Sequence, residues 1–216
     1  MSMTLNPVNE AAFQKAVQSL ETLNRAAVFH PTGTGKSCIA WKVVEAHPQT
    51  TFFWLVAGAQ RLALRQAELT RYNGGTLPGN VRFCDCEKLA AATPEQWVRL
   101  GEQKPGCIVL DCYHELSAVC WAQSVQKLLR MCPQAKVLGL GVPNGAPVCA
   151  AAQELFADCI VSHMTVAEAM PAGTMPVPSA YAALLWPQEE ELATLRARIK
   201  NCLLYTSPSP RDRTRS

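Results

Sequence analysis

Residues 26–45 read AAVFHPTGTGKSCIAWKVVE, and a strand, a glycine-rich turn and a helix can be recognised in that order. The apolar run at 26–29 is of strand type, and apolar residues recur with helical spacing at 38–45. The turn between them, at 30–37, has the glycine, lysine and hydroxyl spacing of a phosphate-binding loop. The flanking strand and helix are the context that this motif requires, and a chance glycine turn before a helix is the alternative.

The chemistry of such a loop assigns a role to each residue type. Glycines let the backbone curl so that successive N–H groups point at phosphate oxygens, and the helix N-terminus adds positive partial charge there. The Lys36 ammonium is expected to reach the β- and γ-phosphates, and the Ser37 hydroxyl to ligate Mg²⁺. His30 stands where the general pattern opens with glycine. The predicted nucleotide-binding residues are Thr32, Gly33, Thr34, Gly35, Lys36 and Ser37.

Composition places the chain among globular proteins. It has 216 residues, of which 49% are hydrophobic and 17% charged, enough for one domain or one domain plus a fragment. The net charge of +3 is too small to indicate a nucleic-acid partner by itself. The ten cysteines lack the spacing of zinc-ligand pairs, which favours reduced thiols and a cytoplasmic location. No apolar run approaches the ~18 residues of a membrane span, so no membrane partner is expected.

Apolar strand patterns alternate with helical patterns along the chain. This alternation predicts an α/β fold in which a parallel sheet is covered by helices on both faces. The predicted strands after the first are 51–57, 81–84, 107–111 and 136–140. The predicted helices are 9–24, 38–45, 62–70, one starting at Thr93-Pro94, 121–131, 148–156, 165–170 and 189–200.

Asp111 ends one of the predicted strands. Hydrolysis of a nucleoside triphosphate needs an acid at the end of a strand near the phosphate loop to hold Mg²⁺. Asp111 follows the apolar run at 107–110 and suits that position, so Ser37 and Asp111 are the predicted Mg²⁺ ligands. A turn or helix-capping aspartate is the alternative interpretation.

Four segments together resemble the superfamily 2 DEAD/DEAH-box helicases. Residues 31–37 resemble motif I, 54–57 lie where motif Ia stands, 111–114 resemble the Asp-Glu-x-His box, and 136–143 lie at motif III. The resemblance covers residues 9 to 200 and is nearest to restriction-enzyme and excision-repair helicase subunits. It implies a RecA-like P-loop NTPase domain that binds ATP and Mg²⁺. The implied partners are nucleic acid, with DNA favoured over RNA, and a second RecA-like domain, missing here, that supplies an arginine finger.

The resemblance also implies a catalytic set, with departures from the family. That set is Lys36, Asp111, Cys112 and His114. Cys112 replaces the glutamate that polarises water, and a mostly neutral thiol is a poor substitute. Gly141-Val142-Pro143 replaces the hydroxyl-Ala-hydroxyl triplet of motif III. These departures leave two readings open, an ATP-dependent helicase with weak hydrolysis and a non-catalytic nucleotide-binding module. A small kinase is a third, although 141–171 contains no arginine-rich lid.

The last part of the chain differs in character from the rest. Residues 202–212 resemble the in-frame translation of a transposase sequencing adapter, and a Ser/Pro-rich disordered tail is the alternative. We therefore expect the natural sequence to continue differently after residue 200 or 201. The predicted division is a helicase ATP-binding domain at 1–170, a linker and the start of a helix toward a missing domain at 171–201, and a non-native tail at 202–216.

Overall fold

A parallel sheet lies at the centre of the fold and carries the glycine loop at its carboxyl edge. The computed structural model describes residues 3–111, 119–143, 155–177 and 189–205. The strands are β1 (Arg25–Phe29), β2 (Phe52–Val56), β3 (Val81–Asp85), β4 (Cys107–Asp111), β5 (Lys136–Gly141) and β6 (Ile160–His163). The helices are α1 (Pro7–Thr22), α2 (Lys36–Ala46), α3 (Ala59–Tyr72), α4 (Cys86–Ala90), α5 (Pro94–Glu102), α6 (Val119–Met131), α7 (Val166–Ala169) and α8 (Glu189–Tyr205).

The strand order brings the two halves of the candidate site to one edge. The order is β3-β2-β4-β5-β1-β6, and the paired strands run parallel. In the register, Asp111 lies opposite Leu140, and Phe29 lies opposite Gly141. Because neighbouring strands are about 4.8 Å apart, the ends of β4 and β1 lie about 10 Å apart with β5 between them. Ligands of such sheets bind outside the carboxyl ends of the strands.

Helices cover both faces of the sheet, as the sequence predicts. On one face α1, α2 and Leu69 of α3 pack on strand residues that include Val28, Trp54 and Val109. On the other face α4, α5 and α6 pack on the alternate residues of the same strands, among them Phe29. Strands β1, β2, β4 and β5 therefore bury both of their faces, which explains their continuous apolar runs in the sequence.

Helix ends and one strand differ from the predictions. Helix α1 begins at Pro7 because the Asn6 side chain caps it, accepting a hydrogen bond of 2.8 Å from the Asn9 N–H. The cap predicted at Thr93 is confirmed and forms a reciprocal capping box with Gln96. Strand β6 was not predicted, because its short and half-exposed sequence lacks an apolar run. Most of the helix predicted at 148–156 lies outside the described residues.

Buried thiols behave as small apolar core residues. Cys84 and Cys107 are buried, and burial raises the pKa of each thiol to about 12. Neither is therefore ionised near neutral pH. The six cysteines within the described residues whose thiols are placed are all free.

The chain divides into two units, each described by itself. The first, Met1–Val177, contains the whole sheet and helices α1 to α7. The second, Pro178–Ser216, contains α8, which ends at Tyr205 rather than at 200. The boundaries predicted at 170 and 201 stay predictions. None of the helices in the described segments is long and apolar enough to cross a membrane.

Candidate nucleotide-binding site

The loop between β1 and α2 has the backbone conformation that its glycines predict. Gly33 has a φ of +88° and Gly35 a φ of +87°, in the left-handed region that side-chain-bearing residues rarely adopt. Helix α2 begins directly after Gly35, at Lys36. The N-terminus of α2 therefore points its first N–H groups, and the positive end of its dipole, toward the loop. Residues 32–37 therefore form the turn between β1 and the start of α2, and their binding of a nucleotide stays a prediction.

The Lys36 ammonium is held at the loop itself. Its Nζ donates hydrogen bonds of 2.8 Å to the main-chain carbonyls of His30 and Pro31. Thr34 closes the same turn, since its hydroxyl donates to the Pro31 carbonyl at 2.8 Å. The Lys36 ammonium thus lies beside the curled backbone, bonded to two main-chain carbonyls, and its role in phosphate binding stays a prediction.

Asn9 of α1 braces the loop, and the sequence analysis did not identify it. Its Nδ2 donates to the Thr34 carbonyl at 2.8 Å in a buried contact. Its Oδ1 is buried and has no hydrogen-bond partner among the described residues. A signal was present in the sequence: Asn9 is a polar residue on the helical face otherwise formed by Ala12, Phe13 and Ala16.

His30 attaches the start of the loop to the edge strand β6. The ring is fully buried, and its Nε2 lies 2.7 Å from the Ser162 hydroxyl oxygen. Burial lowers the pKa of His30 from 6.5 to about 4, and the Lys36 ammonium and the neighbouring His163 add to the effect. The imidazole is therefore neutral at pH 7 and adds no charge to the loop.

Asp111 lies at the carboxyl end of β4, but its carboxylate is already engaged. It is 2% exposed, and its Oδ2 accepts hydrogen bonds from Arg65 Nε at 2.6 Å and from Trp54 Nε1 at 3.1 Å. Arg65 also pairs through Nη1 with Glu68, one turn further along α3. The contacts of Arg65 and Trp54 with Asp111 were not predicted from the sequence, because they join distant segments.

The fit of Mg²⁺ to the predicted ligands can be judged from these contacts. Mg²⁺ prefers anionic oxygen ligands in nearly octahedral geometry and retains several waters. Asp111 is buried, neutralised by a guanidinium and hydrogen-bonded by an indole, so as placed it does not fit a direct Mg²⁺ contact. In the described part of the chain, no group of three or more His, Cys, Asp or Glu could hold a metal ion. The Ser37–Asp111 metal site stays a prediction.

Of the remaining residues of motifs II and III, the structure describes Gly141 but not Cys112 or His114. Cys112 and His114 lie outside the described residues, and their roles stay predictions. Gly141 ends β5 beside β1, and a Cβ atom there would lie 2.5 Å from Cε1 of the Phe29 ring. The hydroxyl residue that motif III would carry at this position therefore has no room while Phe29 keeps its place.

Two basic residues lie on neighbouring segments at the carboxyl edge. Arg61 is exposed near the start of α3, after β2, and Lys88 is exposed in α4, after β3. The segments are adjacent, because a Cβ atom at Gly58 would lie 3.4 Å from Glu87 Oε1. The two basic residues therefore lie on adjacent segments of the fold.

Three solved helicases are similar to this structure. The UvsW helicase of bacteriophage T4 gives a TM-score of 0.55 at 12% identity, covering 75% of this chain and 60% of that one. The DUF1998 helicase MrfA gives 0.52 at 16% identity, covering 75% of this chain and 33% of that one. A hypothetical ATP-dependent RNA helicase from Sulfolobus tokodaii gives 0.52 at 10% identity, covering 71% of this chain and 51% of that one.

These similarities establish the fold. No protein-family model matches the chain, and no curated protein matches it in sequence. The matched region spans between 33% and 60% of the length of the three helicases. The chain therefore has the RecA-like α/β fold that the resemblance predicted.

Proposed function

We propose that this chain, with its RecA-like helicase-domain fold, binds ATP through the loop at 30–37 as the nucleotide-binding domain of a superfamily 2 helicase or translocase. The observation that carries the proposal is the loop itself. Gly33 and Gly35 have positive φ, α2 begins at the loop, and the Lys36 ammonium is bonded to loop carbonyls. These are the features by which backbone N–H groups and one lysine surround a phosphate chain.

Different residues would contact the nucleotide and support the loop that binds it. The loop N–H groups and the α2 N-terminus are proposed to receive the phosphates, and Lys36 to neutralise the charge of the terminal ones. Asn9 and His30 hold the loop in shape from α1 and β6. A nucleic-acid partner would cross the edge that carries Arg61 and Lys88, and DNA is the favoured form. Efficient hydrolysis would require a second RecA-like domain, since an arginine finger supplies roughly 10³ to 10⁵ in rate.

A second candidate function is a non-catalytic nucleotide-binding module. One structural observation favours it: the Asp111 carboxylate is engaged by Arg65 and Trp54. Cys112, where the family has glutamate, points the same way. The two candidates share nucleotide binding and differ in ATP turnover.

Nucleotide binding is tested by titrating a fluorescent ATP analogue such as mant-ATP into the full chain. Lys36→Ala should weaken binding by on the order of tenfold or more, because the phosphate charge loses its cation. Lys15→Ala is the matched control, since it removes the same charge from an exposed position on α1. Equal affinity in the wild type and Lys36→Ala would contradict the proposal.

ATP turnover then separates the two candidates. Release of phosphate is measured with and without single-stranded DNA, in the wild type and in Cys112→Glu. An increase in Cys112→Glu supports the helicase or translocase, because a carboxylate can orient the attacking water. Background turnover in both, with mant-ATP still bound and a second RecA-like domain present in the chain, supports the non-catalytic module.

A further inference from the structure

Arg65 occupies the position at Asp111 where a cation is expected. The Arg65 Nε lies 2.6 Å from Asp111 Oδ2, and Trp54 Nε1 donates to the same oxygen at 3.1 Å. The side chains of Asp111 and Arg65 are 4% and 17% exposed, so water screens their attraction poorly. A guanidinium in such a place is a permanent positive charge that cannot be removed by deprotonation.

A second carboxylate holds Arg65 in place. Arg65 Nη1 pairs with Glu68, which lies one helical turn along α3. Burial alone would lower the pKa of Arg65, but Asp111 and Glu68 outweigh it and raise the pKa above its usual value. The Arg65 guanidinium is therefore paired with two carboxylates at once. If it moves away from Asp111, it also loses Glu68, unless Glu68 moves with it.

Helix α3 is also fixed at its far end, beside the phosphate loop. Two turns beyond Arg65, the Tyr72 hydroxyl lies 3.6 Å from the sulfur of Cys38, which directly follows Ser37. Leu69, between them on the same face, is fully buried in the core. The α3 face that carries Arg65 thus contacts both predicted halves of the nucleotide site.

We propose that Arg65 takes the place of a divalent cation at Asp111, so that this domain binds nucleoside triphosphate with little assistance from Mg²⁺. This inference rests on the proposed nucleotide binding. Asp111 is the acid that the sequence places at the metal position, and Mg²⁺ must displace both a guanidinium and an indole N–H to reach Oδ2. The phosphate charge is left to Lys36 and the α2 N-terminus.

The test compares mant-ATP affinity in EDTA with that in millimolar Mg²⁺, in the wild type and in Arg65→Gln. The wild-type affinity should change by less than about threefold, whereas Mg²⁺ should tighten binding to Arg65→Gln by on the order of tenfold. Arg82→Gln is the control, because Arg82 is exposed on β3, and it should behave as the wild type. If Mg²⁺ increases the mant-ATP affinity of the wild type about tenfold and the increase is smaller in Arg65→Gln, then Arg65 positions Asp111 for the metal. That result would overturn the proposal.

A second measurement omits nucleotide. Mn²⁺ binding is followed by the loss of the free-ion electron paramagnetic resonance signal, and Arg65→Gln should bind an ion that the wild type does not. The double variant Arg65→Gln with Asp111→Asn should lose that ion again. Equal Mn²⁺ binding by the wild type and Arg65→Gln would overturn the proposal.

The two readouts keep this inference apart from the proposed function. If no variant binds mant-ATP, nucleotide binding fails, and the Mn²⁺ measurement still decides what Arg65 does. If Arg65→Gln does not fold, the wild-type titration decides: a gain of about tenfold with Mg²⁺ contradicts the proposal, and no gain supports it.

Discussion

Asn9 and Thr34 are joined by a buried hydrogen bond of 2.8 Å, although 25 residues separate them in the chain. The same amide restricts the next glycine, because a Cβ atom at Gly35 would lie 2.8 Å from Asn9 Nδ2. The shape of the phosphate loop therefore depends on α1, which precedes the sheet in sequence. An intact loop motif without this helix would lack one of its supports.

Replacing Asn9 should weaken the fold and the loop together. Asn9→Ala leaves the Thr34 carbonyl without its donor, so the free energy of unfolding should fall by about 1–3 kcal/mol. Urea denaturation measures this change, and mant-ATP affinity should fall as well. Gln18→Ala, at an exposed position of the same helix, should stay within about 0.5 kcal/mol of the wild type. Equal stabilities of Asn9→Ala and Gln18→Ala would refute the bracing role.

Restoring a motif III hydroxyl at position 141 should destabilise the protein. Gly141→Ser places a Cβ atom against the Phe29 ring, at a cost of about 1–3 kcal/mol in free energy of unfolding. Gly79→Ser is the matched control, because a Cβ atom there meets nothing within 4 Å. In a Phe29→Leu background the cost of Gly141→Ser should shrink by about 0.5 kcal/mol or more. An unchanged cost in that background would show that the ring is not the obstacle.

Stability should depend on pH through His30. Its pKa is 6.5 in the unfolded chain and about 4 in the fold, so between these values the unfolded state binds more protons. The contribution of neutral His30 to the free energy of unfolding is therefore fully present above pH 6.5, and it is lost as pH falls toward 4. Each pKa unit corresponds to about 1.4 kcal/mol, so the loss approaches about 3 kcal/mol. Urea denaturation at several pH values should show a steeper decline for the wild type than for His30→Gln. Parallel curves would mean that His30 is not responsible.

Nucleic-acid binding should depend on the adjacent basic residues. The double variant Arg61→Ala with Lys88→Ala should weaken binding of labelled single-stranded DNA, measured by fluorescence anisotropy. Each lost phosphate contact should reduce the slope of log affinity against log salt by about 0.7. The control removes two exposed charges elsewhere, Lys15→Ala with Arg99→Ala. A similar loss in the control would indicate a general charge effect, and repetition with RNA would test the preference for DNA.

Local patterns predicted much of the fold because the signals are contiguous. Strands β1, β2, β4 and β5 carry continuous apolar runs, and their alternation with helices identified the parallel sheet. Strand β6 was not predicted because it is short and borders solvent, so burial imposes no continuous apolar pattern on its sequence. Its position beside β1 is set by pairing with a strand that is remote in sequence.

The sequence by itself determined the conformation of the glycine loop, since the glycines, Lys36 and the start of α2 are consecutive and their geometry is local. It also determined that Asp111 ends a strand. Only the tertiary structure decided that Asn9 supports Thr34 and that Arg65 engages Asp111. These contacts join residues 25 and 46 positions apart, and no local pattern specifies which polar side chains meet when helices pack against the ends of a sheet.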